Sequence, residues 1–460
     1  MRPFTFSNLL VVSIMMIFSC TSKNAGDEHV PDPIVISGKL TAPVDAVITL
    51  KAGNLLESIN IGPDGSFRDT LYIAEGYYRF IHKNENTNIY LTPGKDLHVE
   101  LNYMQFDESL SYSGEGAAPN SYLSAKALKK EQGRKTFDVV AFYSSEEEEY
   151  KTQMKDKYDA DLAFLNSFED LPESFLQWER KDIEYGKLLS IVSYKSGHEY
   201  FTKKTDFEPS GEFLKPLEEM DKDNDAEFRN LENYRNVVIN YYSLISRDPA
   251  KFDQISGIIS SLKSPLIKEA VLNDLAFQVS PSNENLSKLV ALINTHSKDE
   301  DLRTRVNTKY EEVKDLAKGM PSPTFTYEDA NGKMVSLEDL RGKLVYVDVW
   351  ATWCGPCKRE IPYLKEIEDK YHNEPIEFVS VSIDKQVDKG KWLSMVSEKE
   401  LGGVQVIADK DWSSSFVKGY SITGIPRFLF IDKDGNIINA DAPRPSDPKL
   451  ETLFAEYLSS

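Results

Sequence analysis

Cys354 and Cys357 stand three residues apart in a chain of 460 residues that has one other cysteine, Cys20. A thiolate can attack a disulfide, and a second thiol within reach can resolve the mixed disulfide that results. The pair follows an apolar run, Val345-Tyr346-Val347-Asp348-Val349-Trp350, and precedes a stretch with helical spacing. A strand that enters a helix on the first cysteine would aim unpaired backbone N–H groups and the helix dipole at its sulfur, favouring the thiolate. Gly355 lets backbone approach closely and Pro356 suits a first helical turn. On this reading Cys354 is the exposed, attacking cysteine and Cys357, one turn on, is the buried, resolving one. Together they form a redox disulfide, with Trp353 shielding it and meeting the substrate.

Other uses of Cys-x-x-Cys are disfavoured by what surrounds it. A zinc site requires two further ligands at suitable spacing, and the six histidines are scattered. A c-type haem site would place His after Cys357, where Lys358 stands. No metal and no cofactor is therefore expected. Asp348 lies inside the apolar run, six residues before Cys354. Burying a carboxylate costs on the order of several kcal/mol unless it is neutral or paired, so a chemical role is expected for it.

The elements that must position these residues occupy 319–460, after a boundary marked by Pro321 and Pro323. A hairpin with an Asn-Gly turn (325–333) and a short capped turn (337–342) lead to a strand at 343–350. A helix is predicted over 357–372, a strand over 376–383, a helix over 389–399, a strand over 405–408 and a helix over 412–420. A hairpin (428–431 and 437–439) and a last helix (448–458) complete an α/β domain. Upstream, 118–318 reads as a helical region. Ser145 before four glutamates suggests a capped helix start, and apolar stripes such as Val237, Val238, Tyr241, Tyr242 and Ile245 suggest core. Residues 34–113 carry seven short β-rich runs separated by turn signals, which suggests a small β-sandwich. The chain is thus expected to be multidomain: β-sandwich, helical region, then α/β domain. A net charge of −20 excludes a basic nucleic-acid footprint, so no nucleic-acid partner is expected.

Residues 1–20 combine Arg2 with an apolar run, Leu9 to Phe18, too short to span a bilayer comfortably. The end of the run, Ile17-Phe18-Ser19-Cys20, resembles the lipobox of bacterial lipoproteins, where the signal is cut before a cysteine that becomes lipidated. Cys20 is then the lipid attachment and 21–33 a polar linker from a membrane surface.

Trp350-Ala351-Thr352-Trp353-Cys354-Gly355-Pro356-Cys357, the later Thr423-Gly424-Ile425-Pro426, and the Leu337-x-x-Leu340-x-Gly342-Lys343 lead-in resemble the TlpA/ResA branch of thioredoxin-fold proteins. The resemblance covers 319–460, and residues 34–113 resemble the small β domain that precedes such a domain in exported lipoproteins. It implies a thioredoxin-like fold and a membrane-tethered, extracytoplasmic thiol–disulfide oxidoreductase of the cell envelope, periplasm-facing or on the outer-membrane surface. It further implies that Asp348 assists proton transfer at Cys357 and that Glu360 is an acidic helper. Ile425-Pro426 is implied to be the cis-proline step facing the dithiol, with Trp353, Gly355 and Pro356 beside the substrate. The implied partners are exported disulfide-bearing proteins, such as apocytochromes, and a membrane reductant of the DsbD/CcdA kind. A disulfide oxidase or isomerase is the nearest alternative. A surface lipoprotein whose β and helical regions bind a partner, with the redox domain as accessory, is another. Peroxidases of the same fold carry Thr three residues before their cysteine, where this chain has Ala351.

Overall fold

The computed structural model describes residues 31–53, 55–204, 207–248 and 251–458. The expected export signal, Cys20 and most of the linker lie outside these residues. The chain forms two compact units, one holding residues up to Asn120 except Lys51–Leu55, the other holding Lys51–Leu55 and everything from Ser121.

The first unit is built on eight strands: β1 (Ile34–Thr41), β2 (Val47–Ala52), β3 (Leu55–Asn60), β4 (Ser66–Leu71), β5 (Gly76–His82), β6 (Glu85–Leu91), β7 (Leu97–Asn102) and β8 (Ser111–Ser113). They form two four-stranded sheets, ordered β4-β1-β7-β8 and β3-β2-β5-β6. In β1 the residues Ile34, Ile36, Gly38 and Leu40 are buried and their neighbours are not, the two-residue period of a strand with one covered face. Strand β8 has no apolar pattern of its own and was not foreseen. It is defined by antiparallel pairing with β7, His98 opposite Ser113.

The longer helices upstream of the last domain are α1 (Ala117–Thr136), α2 (Glu147–Asn166), α3 (Glu173–Thr202), α4 (Glu232–Arg247), α5 (Pro265–Leu275), α6 (Leu286–His296) and α7 (Glu300–Val313). The predicted stripe on α4 is largely core, with Val237, Val238 and Tyr242 buried. The expected cap of α2 is corrected: Glu146 occupies the N-cap position, without a side-chain cap bond. The Ser145 hydroxyl instead donates to Ala141 O at 2.9 Å, back-bonding to the preceding helical turn as serine readily does. Helix α7 runs into the last domain through a 3₁₀ turn whose Leu316 is part of that domain's apolar core. Gly319 N–H donates to Ile437 O at 2.7 Å and Ile437 N–H to Met320 O at 2.8 Å, clasping the entry.

The last domain contains β9 (Thr326–Asp329), β10 (Met334–Ser336), β11 (Leu344–Trp350), α8 (Gly355–Lys370), β12 (Ile376–Ser382), α9 (Lys389–Glu398), β13 (Val404–Ile407), β14 (Arg427–Ile431), β15 (Ile437–Asn439) and α10 (Lys449–Leu458). One seven-stranded sheet has the order β10-β9-β13-β12-β11-β14-β15. Strand β11 is parallel to β12 and antiparallel to β14. Every residue of β11 is buried, as a sheet covered on both faces requires. Two elements differ from expectation. Helix α8 starts at Gly355, two residues before the 357–372 span, with Cys354 as its N-cap, so the helix is entered on the first cysteine as the thiolate reading requires. The helix predicted over 412–420 is split into a 3₁₀ turn (Asp411–Ser413) and a short helix (Ser415–Gly419). Ser414 is extended between them and accepts from Val417 N–H at 3.4 Å, so it caps a new helix rather than continuing one.

Candidate active site

Strand β11 delivers the site. It ends at Trp350, and the Ala351-Thr352-Trp353 loop carries the chain to Cys354 at the head of α8. The Cys354 backbone is extended, with φ −79° and ψ 103°, and its Sγ accepts from Cys357 N–H at 3.1 Å. Cys354 and Cys357 form a disulfide with Cα atoms 5.3 Å apart. Pro356 sits in the first turn, where its missing N–H removes no helix bond.

The expected exposure of Cys354 is corrected. Cys354 is 3% exposed and Cys357 4%, both within one apolar cluster. The Cys354 sulfur turns inward to meet Cys357 Sγ and the helix N-terminus, which removes the expected difference between them. The exposed neighbour is Trp353, at 58%, with its ring centroid 6.4 Å from that of Trp412. The Ile425–Pro426 bond is cis, and Ile425 packs against the cluster that holds both cysteines.

Asp348 pairs with Ser380 of β12 on one side and Phe428 of β14 on the other. It is buried and its Oδ1 has no hydrogen-bond partner. Burial, then the nearby charges of Glu360 and Glu368, push its carboxyl up to about 8. Glu360 is also buried, on the inward face of α8. It accepts from the Ser446 N–H and hydroxyl, each at 3.1 Å. The two acids read from the sequence, Glu360 on the inward face of α8 and Asp348 on β11, are therefore brought within electrostatic reach of each other.

Other residues at the site were not singled out from the sequence. Asp384, 1% exposed, accepts from Thr352 N–H at 2.8 Å, Thr352 Oγ1 at 2.7 Å and Ser382 Oγ at 2.8 Å. It holds the loop that presents Trp353 and Cys354. Its only sequence signal was an acid directly after the Val/Ile-rich strand. Ser446 and Trp412 carried none, since Ser446 comes from a loop and Trp412 from the 3₁₀ turn at 411–413, both far along the chain from the cysteines.

The family model described as Redoxin matches residues 317–454. The thiol-disulfide oxidoreductase ResA of Bacillus thuringiensis subsp. konkukian is 32% identical over 140 residues, which is 30% of this chain and 76% of that protein. The chain belongs to the ResA thiol-disulfide oxidoreductase family. ResA of Bacillus subtilis is 27% identical over 156 residues, 34% of this chain and 82% of that protein. The crystal structure of the thioredoxin domain of a thiol-disulfide oxidoreductase from Bacteroides vulgatus is 29% identical, covering 31% of this chain and 98% of its own, with a TM-score of 0.28. The ResA-like part of the chain is its thioredoxin-like C-terminal domain, and the chain is an enzyme of thiol–disulfide exchange. The ResA matches leave the β and helical regions without a counterpart.

Proposed function

We propose that this ResA-family chain is a lipid-anchored, extracytoplasmic reductase of disulfides in exported proteins, apocytochromes among them. The observation that carries the reading is the Cys354–Cys357 disulfide at the N-terminus of α8, with exposed Trp353 beside it. In the reduced enzyme the Cys354 thiolate attacks a substrate disulfide, forming a mixed disulfide and releasing one substrate thiolate. Cys357 passes its proton to Asp348 and its thiolate attacks Cys354 Sγ, which re-forms the Cys354–Cys357 disulfide and releases the second substrate thiolate. A carboxyl held up to about 8 by burial can take that proton around neutral pH. Glu360 raises the Asp348 carboxyl through its charge. Trp353, Gly355, Pro356, Ile425 and Pro426 line the path of an extended substrate segment. Two electrons, supplied by a membrane reductant of the DsbD/CcdA kind, and one proton for Cys357 reset the enzyme.

Cys20 carries the lipid, and 21–33 tether the β and helical regions and the redox domain to the envelope. The alternating burial in the two sheets supports their packing as the small β-sandwich. The test is a Cys357→Ala chain expressed in the source cell. It should accumulate mixed disulfides through Cys354 with exported proteins, while the wild type reduces insulin. Accumulation through Cys357 in a Cys354→Ala chain instead, or capture of no exported protein by either variant, overturns the reading.

A further inference from the structure

On the α8 side of β11, Asp348 lines a small cavity together with Trp350, Ser380, Gln405, Lys365 and Glu368. The cavity has about 10 Å³ of room for a water centre, close to what one water needs. Three buried polar atoms on its lining residues have no partner: Asp348 Oδ1, Gln405 Oε1 and Trp350 Nε1. That is two acceptors and one donor, the complement of a water that donates twice and accepts once. Gln405 is already oriented, since its Nε2 donates to Gly402 O at 2.7 Å.

Glu368 is only partly buried, so it meets both the cavity and solvent. Its carboxylate lies directly against Gly402 and Gly403: a Cβ on Gly402 would collide with Glu368 Oε2, and one on Gly403 would lie 3.1 Å from Oε1. The acid is thus seated in a notch that two glycines leave open.

We propose that Glu368 is the proton outlet of the site: a water held by Asp348, Gln405 and Trp350 carries the Asp348 proton to Glu368, which releases it to solvent. The inference rests on the proton role given to Asp348 above. When Cys357 loses its proton to the Asp348 carboxylate, the resulting acid must lose that proton before the next cycle. With Asp348 protonated, the water accepts from it and from Trp350 Nε1–H and donates to Gln405 Oε1 and to the Glu368 carboxylate, so one proton enters the water as another leaves it and the net charge of the cavity is unchanged. The charged groups facing Asp348 are Glu360 and Glu368 from α8, with Lys365 lining the same cavity and bonded to Lys399 O at 3.0 Å. Strands β12 and β13 present only Ser380 and Gln405 there, and β14 pairs Phe428. No base on a neighbouring strand competes for the proton. Burial holds Asp348 up to about 8 and Glu368 up to about 7, so a proton crosses between them nearly level.

The full chain with Glu368→Gln, Glu368→Asp or Gly402→Ala tests this by two readouts. The first is the titration midpoint of the buried Asp348 carboxyl, followed by infrared spectroscopy of the disulfide form. Removing the Glu368 charge should lower it by about one unit. The second is the pH profile of disulfide reduction over successive turnovers with dithiothreitol as reductant. Glu368→Gln should slow turnover about tenfold and flatten the profile near neutral pH, Gly402→Ala should do the same by displacing the carboxylate, and Glu368→Asp should restore the wild-type profile. An unmoved Asp348 midpoint, or a Glu368→Gln profile matching the wild type while Asp348→Asn slows turnover, overturns the inference alone. A wild type that reduces no disulfide overturns the proposed function instead, and the infrared midpoint still decides the Asp348–Glu368 coupling.

Discussion

Asp384 accepts hydrogen bonds from both the N–H and the hydroxyl of Thr352, at 2.8 and 2.7 Å, and so pins the loop that precedes Cys354. A third donor, Ser382 Oγ, completes its buried carboxylate at 2.8 Å. Asparagine offers one acceptor oxygen in place of two. Asp384→Asn should therefore destabilise the chain by ~1–3 kcal/mol in urea unfolding and loosen the loop enough to lower disulfide reduction. Thr352→Val removes one of the bonds and should show about half that loss of stability. Unchanged stability in both would remove Asp384 from its positioning role.

Asp348 makes stability depend on pH. Its carboxyl titrates at about 8 in the folded chain and near 3.8 when unfolded. Between those values the unfolded chain releases a proton that the folded chain keeps, so stability falls as pH rises, by at most ~1.4 kcal/mol per unit from this group. Above the folded value both states are ionised and the full penalty is present. Asp348→Asn should match the wild type near pH 4 and exceed its stability at pH 8 by several kcal/mol. Urea titrations at the two pH values check the sign.

Ser446 supplies both donors to Glu360, through its N–H and its hydroxyl. Ser446→Ala keeps the first and loses the second, with an expected cost of ~1 kcal/mol. Glu360→Gln removes a charge that raises the Asp348 carboxyl, and the infrared midpoint of Asp348 should fall. A midpoint that rises would contradict the arrangement of the two acids.

Gly38 lies where β1 meets β7. A Cβ there would run into Val99 O and stand 2.7 Å from the Phe67 ring. Gly38→Ala should cost on the order of 3 kcal/mol by overpacking and separate the two strands. Hydrogen exchange at the β1 and β7 amides is the readout, and wild-type protection in both would refute it.

Cys20→Ser should abolish incorporation of a labelled lipid precursor by the full chain expressed in the source cell. Label retained by the variant would remove the anchor from the proposal.

The sequence by itself determined the β11 strand, the Cys354/Cys357 pair, the α/β order of the last domain and the family resemblance. Those features are local: a continuous apolar run, a spacing of three, and turn residues at hairpins are written in neighbouring positions. It also singled out Asp348, because a charge inside an apolar strand conflicts with its surroundings, and Glu360 through the family resemblance. Only the tertiary structure decided what these residues touch. The contacts of Glu360 with Ser446 and of Thr352 with Asp384 join segments 86 and 32 residues apart, and no local pattern encodes such a meeting. The burial of Cys354 was hidden for the same reason, since it follows from a disulfide and a packed cluster rather than from its own neighbours. Ser145 and the split helix near Ser414 show the limit on a smaller scale. A serine beside a helix can cap the next turn or bond back to the last one, and packing around it chooses between them.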